Sequence, residues 1–305
     1  MDLRSDTRRV WEAVESLPGV EVRSLDAVPG GDLNDAYRLT LAGGDVAFAK
    51  ASTDAPPGAF PAEAAGLCWL AAGAGEEDVA VPRVLGASDD VLVLEWIASR
   101  PLPRDPGFDA RLGRGLARIH AAGADRFGAT PHDGPTFLGP LVLENDAAGP
   151  VPSSWGAFHA ACRLEPVGRL AEERGLLPAG TFAALERLCA ELDALSGPPE
   201  PVACIHGDLW TGNVLAARDG RPVLIDPAAS GGHRETDLAM LRLFGTVSPA
   251  FLAAYEEVWP LAPGHEHRVA LHQVLPLLVH AALFGGGYGS SARRAIDRAR
   301  AGGAP

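Results

Sequence analysis

The sequence predicts an α+β protein in two parts: a small β-rich N-terminal part over residues 1–96 and a larger, mainly helical part over residues 97–305. Three observations lead there. Apolar residues alternate with period two before Trp96, and recur every three or four positions after it. The composition is that of a globular chain: 305 residues, 47% hydrophobic and 21% charged, ample for a sizeable core.

Trp11, Val14 and Leu17 stand near helical spacing, which predicts a helix over 6–17. Val20–Leu25 and Ala36–Leu41 read as strands flanking the turn signal Pro29-Gly30-Gly31. Asp45–Lys50 is a third strand, with Val46, Phe48 and Lys50 on one face and Ala47 and Ala49 on the other. A Pro-rich loop at 54–58 leads into a helix over Pro61–Ala72. Val79–Leu85 and Val91–Trp96 add two strands, the second apolar enough to be buried.

Beyond Trp96, residues 109–122 are predicted helical, with Leu112, Leu116 and Ile119 on one face, and further helices fit 155–174 and 180–195. A short strand, Val202–His206, precedes a loop and a β-hairpin, Val214–Ala217 and Pro222–Ile225, around Asp219-Gly220. The remainder, 236–300, reads as helices. A cleft between two such parts is a natural ligand site.

Composition also excludes. The net charge of −13 argues against nucleic acid as a partner, because phosphate backbones demand Lys and Arg, and it is compatible with a cationic small substrate. The longest apolar stretch, Val274–Phe284, is interrupted by Pro276 and His280. It falls short of the roughly 20 residues that span a bilayer and predicts a buried helix, so no membrane partner is expected. Met1–Val10 lacks the pattern of a secretory signal, which makes the cytoplasm the expected location. Cys68, Cys162, Cys189 and Cys204 form no C-x-x-C pair and are expected to be reduced and mostly buried. Nothing in the sequence bears on oligomeric state.

Lys50 is the only lysine; every other basic side chain is arginine. Where coding bias replaces lysine wherever either residue serves, a surviving lysine marks a need for a compact ammonium, for which a planar guanidinium is no substitute. Binding phosphate groups is such a need. The strongest local motif is His206-Gly207-Asp208-Leu209-Trp210-Thr211-Gly212-Asn213, with Asp226 closing the hairpin that follows. Asp and Asn are turn formers and either alone would be read that way. Together with Asp226 they supply what phosphoryl transfer requires: a carboxylate to orient the attacking hydroxyl and oxygen ligands for Mg²⁺.

These residues resemble the protein-kinase-like superfamily, whose catalytic loop reads H-x-D-x-x-x-x-N before a metal-binding Asp. The resemblance implies a two-lobed kinase-like fold with ATP and Mg²⁺ as cofactors. It assigns Asp208 as the catalytic base, Asn213 and Asp226 as metal ligands, and His206 as an organiser of the loop. Lys50 would face the α/β-phosphates, aimed by Glu63 on the next helix. Glu63 taken alone is an ordinary first-turn acid. Gly30, Gly31 and Asn34 occupy the place of the phosphate-covering loop without matching G-x-G-x-x-G, and Asp32 stands where many relatives carry Ser. Glu95, Trp96 and Ile97 match the hinge whose backbone holds adenine. Gly207 replaces the protein-kinase Arg, and Asp226 is followed by Pro227-Ala228 instead of Phe-Gly, features similar to the aminoglycoside phosphotransferase branch.

A narrower resemblance, spanning about residues 8–298, is to the fructosamine (ketosamine-3-) kinases. It rests on Gly30-Gly31 through Asn34, Glu63–Leu67, Val81–Gly86, Trp210, Gly232–Met240 and Leu283–Tyr288. It implies ATP-dependent phosphorylation of the 3-hydroxyl of a ketosamine, small or protein-bound, followed by release of the amine. Trp210 could stack on sugar or cation, and His233, Arg234, Glu235 and Tyr288 become candidates for the acceptor pocket. A salt-bridged loop is the rival reading for Arg234 and Glu235, and Asp237 is expected to cap the helix starting near Leu238. Two alternatives stay open: a kinase for an aminoglycoside, choline or homoserine, and a catalytically silent nucleotide-binding regulator.

Overall fold

The computed structural model describes residues 3–29, 34–75, 77–146, 152 and 154–302. It opens with helix α1 (Leu3–Glu15), followed by strands β1 (Val22–Ala27), β2 (Asp35–Leu41) and β3 (Val46–Ala51), helix α2 (Ala59–Ala74), and strands β4 (Val84–Ala87) and β5 (Val91–Glu95). The five strands form one antiparallel sheet in the order β1-β2-β3-β5-β4. Its two faces follow from strand alternation. Ala47, Ala49, Ala51, Val91 and Val93 pack with Val10 and Val14 of α1 and with Leu17 just beyond it. On the other face Phe48, Leu92 and Leu94 pack with Phe60, Ala64 and Leu67 of α2. Lys50 shares the parity of Phe48, so alternation turns it toward α2.

Two sequence expectations shift. Only the end of Val79–Leu85 is a strand, because Pro82 has no N–H to donate to a ladder; Ala80 makes an isolated bridge to Val223. The turn at Gly30–Leu33 lies outside the described residues.

Strand β6 (Ser99–Arg100) follows, then α3 (Pro106–Ala122), the pair β7 (Thr136–Leu138) and β8 (Leu141–Leu143), α4 (Trp155–His159), α5 (Glu165–Glu173) and α6 (Thr181–Leu195). The single helix expected over 155–174 is interrupted by a π-helical turn at Ala160–Leu164. Pro166 lacks the N–H that would return to Cys162 O, and that carbonyl accepts the Arg163 guanidinium at 2.9 Å instead. Strand β9 (Ala203–Ile205), hairpin β10 (Val214–Ala217) and β11 (Pro222–Leu224), and β12 (Ser230–Gly232) carry the loops of the site. β6 joins the hairpin as a third strand, and β12 pairs with β9.

Helices α7 (Glu235–Leu243), α8 (Pro249–Val258), α9 (His265–His272), α10 (Val274–Phe284) and α11 (Tyr288–Gly302) complete the chain. Two cores fill this part. Leu112, Leu116, Ile119, Leu209, Phe251 and Tyr255 belong to one, and Leu164, Leu185, Leu188, Leu278 and Ile296 to the other. The expected burial of Val274–Phe284 holds for α10, of which eight residues are buried. Among the described residues no helix is long and apolar enough to cross a membrane. All four cysteines are free; Cys162 and Cys204 are buried, Cys189 is intermediate and Cys68 is exposed.

Candidate active site

Lys50 and Glu63 meet because β3 and α2 present them across one layer. Lys50 Nζ lies 2.8 and 3.1 Å from the two Glu63 carboxylate oxygens, with both side chains 13% exposed. The same ammonium is 3.3 Å from Asp226 Oδ1, which links the N-terminal sheet to the end of the β10–β11 hairpin. Burial opposes the Lys50 charge, yet Glu63 and Asp226 outweigh it and hold the group above its ordinary value. Burial pushes the Glu63 carboxyl up, opposed by Lys50 and reinforced by Asp226. Asp226 is one of two non-glycine residues with positive φ among the described residues, at 54°. A non-glycine side chain held there costs energy, so the turn after β11 is kept in this shape by its surroundings.

Asp208 and Asn213 sit on the loop between β9 and β10. Asn213 Nδ2 donates to Asp208 O at 2.8 Å and to Asp208 Oδ2 at 3.2 Å, leaving the amide oxygen for another partner. Ile225 N donates to Asn213 O at 3.1 Å, so the residue before Asp226 is tied to Asn213. The Asp208 carboxyl is raised to about 6, first by burial and then by the negative charge of Asp226, with Asn213 opposing.

The loop is fastened from behind. His206 is buried; its Nε2 donates to Ile225 O at 2.9 Å, which leaves Nδ1 to accept the Asp208 N–H at 3.3 Å. Asp237 accepts from the backbone N–H of His206 at 2.7 Å and of Gly207 at 2.9 Å, and lies 3.0 Å from His120 Nε2. Asp237 was expected to cap a helix starting near Leu238, but α7 starts at Glu235 and the carboxylate holds the loop that carries Asp208. Gly207 has φ +83°, and a Cβ there would stand 2.3 Å from Ala228 O. No side chain fits where protein kinases carry Arg.

Trp210, 37% exposed, stands at the outer end of this loop with its ring edge-to-face on Phe244 at 6.0 Å. A Cβ on Gly212 would be 2.3 Å from that indole, so glycine lets the ring lie back over the loop. Tyr288, at the start of α11, is 5.0 Å from the ring of His280, which in turn is 4.9 Å from Phe244. The structure thus brings Tyr288 into the same aromatic group as Trp210.

It places the other three acceptor candidates in the interior. Arg234 is 2% exposed, bonded to both Glu200 carboxylate oxygens at 2.6 and 2.7 Å and stacked on Trp259 at 4.2 Å. Glu235 is held by Arg268 at 2.6 and 2.9 Å. His233 packs against Trp155 and His272, and burial drives its pKa down to about 3. His233, Glu235 and His272 are close enough to share a metal ion. The Arg268 guanidinium already neutralises the carboxylate, and the grouping is read as a buried ion pair with stacked imidazoles.

Of the remaining candidates, Glu95 ends β5 and uses its carboxylate to accept the Arg83 N–H at 3.1 Å. Trp96, with Arg38 over its ring at 5.7 Å, and Ile97 continue into the segment joining β5 to β6. Asn34 immediately precedes β2, and Gly30 and Gly31 lie outside the described residues. His120, Phe244 and His280 went unassigned in the sequence. A histidine on the apolar face of a predicted helix was the one available signal for His120.

Comparison with known proteins places this geometry in a family. A model of the fructosamine kinases matches residues 6–301. A probable ketoamine kinase of Thermus thermophilus is 37% identical over 88% of this chain and 91% of its own. A solved structure from Thermobifida fusca, a presumed fructosamine-3-kinase, is 42% identical with a TM-score of 0.85, covering 96% of this chain and 98% of that one. A choline kinase of Streptococcus pneumoniae, 15% identical with a TM-score of 0.60 over 97% and 98% of the two chains, shares the fold. The fold is therefore protein-kinase-like, and the chain is a phosphotransferase that uses ATP and acts on a hydroxyl. With its whole length but the two ends matched, this chain belongs to the fructosamine kinase family.

Proposed function

We propose that the chain transfers the γ-phosphoryl group of ATP to the 3-hydroxyl of a ketosamine, which destabilises the sugar–amine adduct and returns the amine. The observation that carries this reading is the Lys50 ammonium held between Glu63 and Asp226 beside the Asp208–Asn213 loop. Asp208 orients the acceptor hydroxyl and takes its proton. Lys50, aimed by Glu63, meets the phosphates as a point charge.

The donor set fits Mg²⁺, a hard cation that prefers oxygen. Asn213 keeps its amide oxygen free, and Asp226 is 41% exposed with one oxygen turned to Lys50. When bound, the ion would neutralise charge on the transferring phosphates. Most of the rate would then come from positioning and charge complementarity.

Coupled ADP release tests the proposal on fructose- and ribulose-lysine, an aminoglycoside, choline and homoserine. Turnover on a ketosamine alone is expected. Turnover on another amine would overturn the substrate while keeping the kinase, and silence on the whole panel with ATP bound would point to a regulator.

The pH profile is a second check. A base works only when deprotonated, and the Asp208 carboxyl lies near 6. Activity should therefore be level above that value and fall about tenfold per unit as pH drops below it. A rate that rises as the pH falls through that range would remove Asp208 from that role.

A further inference from the structure

Trp210, Phe244, His280, Phe284 and Tyr288 form a continuous aromatic wall that starts on the loop carrying Asp208. Successive ring centroids are 6.0 Å apart from Trp210 to Phe244, 4.9 Å from Phe244 to His280, 5.6 Å from His280 to Phe284 and 5.0 Å from His280 to Tyr288. Elsewhere among the described residues the Phe, Tyr and Trp side chains are buried or half-buried. Here Trp210 is 37% and Phe284 53% exposed, two of the four large apolar side chains left exposed among the described residues. Two exposed rings joined through three half-buried ones beside the Asp208 loop mark a surface that a ligand covers.

At its centre His280 adds one directional group. Its Nδ1 lies 2.7 Å from Pro276 O, which can only accept, so that nitrogen carries the proton. Burial keeps the ring below its ordinary pKa, and in the neutral ring Nε2 is a lone pair. Among the described residues Nε2 has no hydrogen-bond partner. The wall therefore offers ring faces, which attract a cation, and one uncharged acceptor for an N–H.

We propose that this wall is the subsite for the amine half of the acceptor. It takes a secondary ammonium bearing an apolar or aromatic substituent, with His280 Nε2 accepting the ammonium N–H and Phe244 and Phe284 covering the substituent. The inference rests on the ketosamine reading above and adds what that reading leaves open, the part of the substrate that sets preference among adducts. Because the rings would meet the amine and not the transferring phosphoryl, they act on KM and leave kcat unchanged.

The test is a steady-state series on one sugar: 1-deoxyfructose joined to methylamine, joined to benzylamine, and joined to benzyl alcohol as an uncharged ether, with ribulose counterparts run alongside. The benzylamine adduct should show a KM lower than either other compound by on the order of tenfold, at similar kcat. Phe284→Ala, at an exposed position where folding is not at stake, should erase most of the benzyl preference. His280→Phe should raise KM for both amine adducts and leave the ether unchanged. Turnover with KM values within twofold across the series, or a Phe284→Ala variant that keeps the preference, would overturn the wall while leaving the ketosamine reading intact. Failure of every ketosamine to turn over, with another amine phosphorylated, would remove both.

Discussion

Asp208→Asn is expected to lower kcat by about 10³-fold or more while changing ATP affinity less than about threefold. The substitution keeps the size of the side chain and its place beside Asn213, whose amide lies 3.2 Å from Asp208 Oδ2. What it removes is the basic oxygen that orients the hydroxyl. Lys50, which would meet the nucleotide, is held by Glu63 and Asp226, and neither contact depends on Asp208. Single-turnover kinetics and calorimetric ATP titration separate the two quantities. A loss of affinity matching the loss of rate would show that Asp208 serves binding, and the proposed role would fall.

Asp237→Ala should be the most damaging change away from the reacting groups. The carboxylate is fully buried and accepts from His206 N–H, Gly207 N–H and His120. Alanine would strand two buried backbone donors and one imidazole, at a cost of about 3–5 kcal/mol. For a chain of this size that is a fall in Tm of roughly 10 °C. Burial alone would raise this carboxyl, but His120 and the His206 N–H hold it below its ordinary value. Its stabilising contribution is thus present at neutral pH and is lost as the pH falls below the ordinary carboxylate range. Thermal unfolding at pH 7 and at about pH 2.5, well below the ordinary Asp value of about 3.9, should show the variant's deficit shrinking in acid. A Tm within about 2 °C of the parent at pH 7 would mean that the loop holds itself.

The candidate site was legible in the sequence because the chemistry proposed for it depends on residue types that cannot be exchanged. A single lysine in an arginine-rich chain, an Asp and Asn in one loop and an Asp at the close of a hairpin are local signals. Strand alternation even turned Lys50 to the same face as Phe48, toward α2. The proposed acceptor pocket was only half legible. His233, Arg234 and Glu235 stand together in a segment shared with the family, but sharing a segment does not say which way its side chains face. Burial decided that: Arg234 closes on Glu200 and Glu235 on Arg268, because a charge taken into the interior must find a partner there.

What the sequence by itself determined was the order of elements and the identity of the groups gathered at the candidate site, since both follow from short-range pattern. Only the tertiary structure could decide that Lys50, Glu63 and Asp226 converge and that Asp237 serves a loop 30 residues earlier in the chain. The same holds for Phe244, His280 and Phe284, which line up with Trp210 from separate segments. Those relations join residues far apart in sequence, and their pairing is set by how the cores pack, a property of the whole chain that no local window contains.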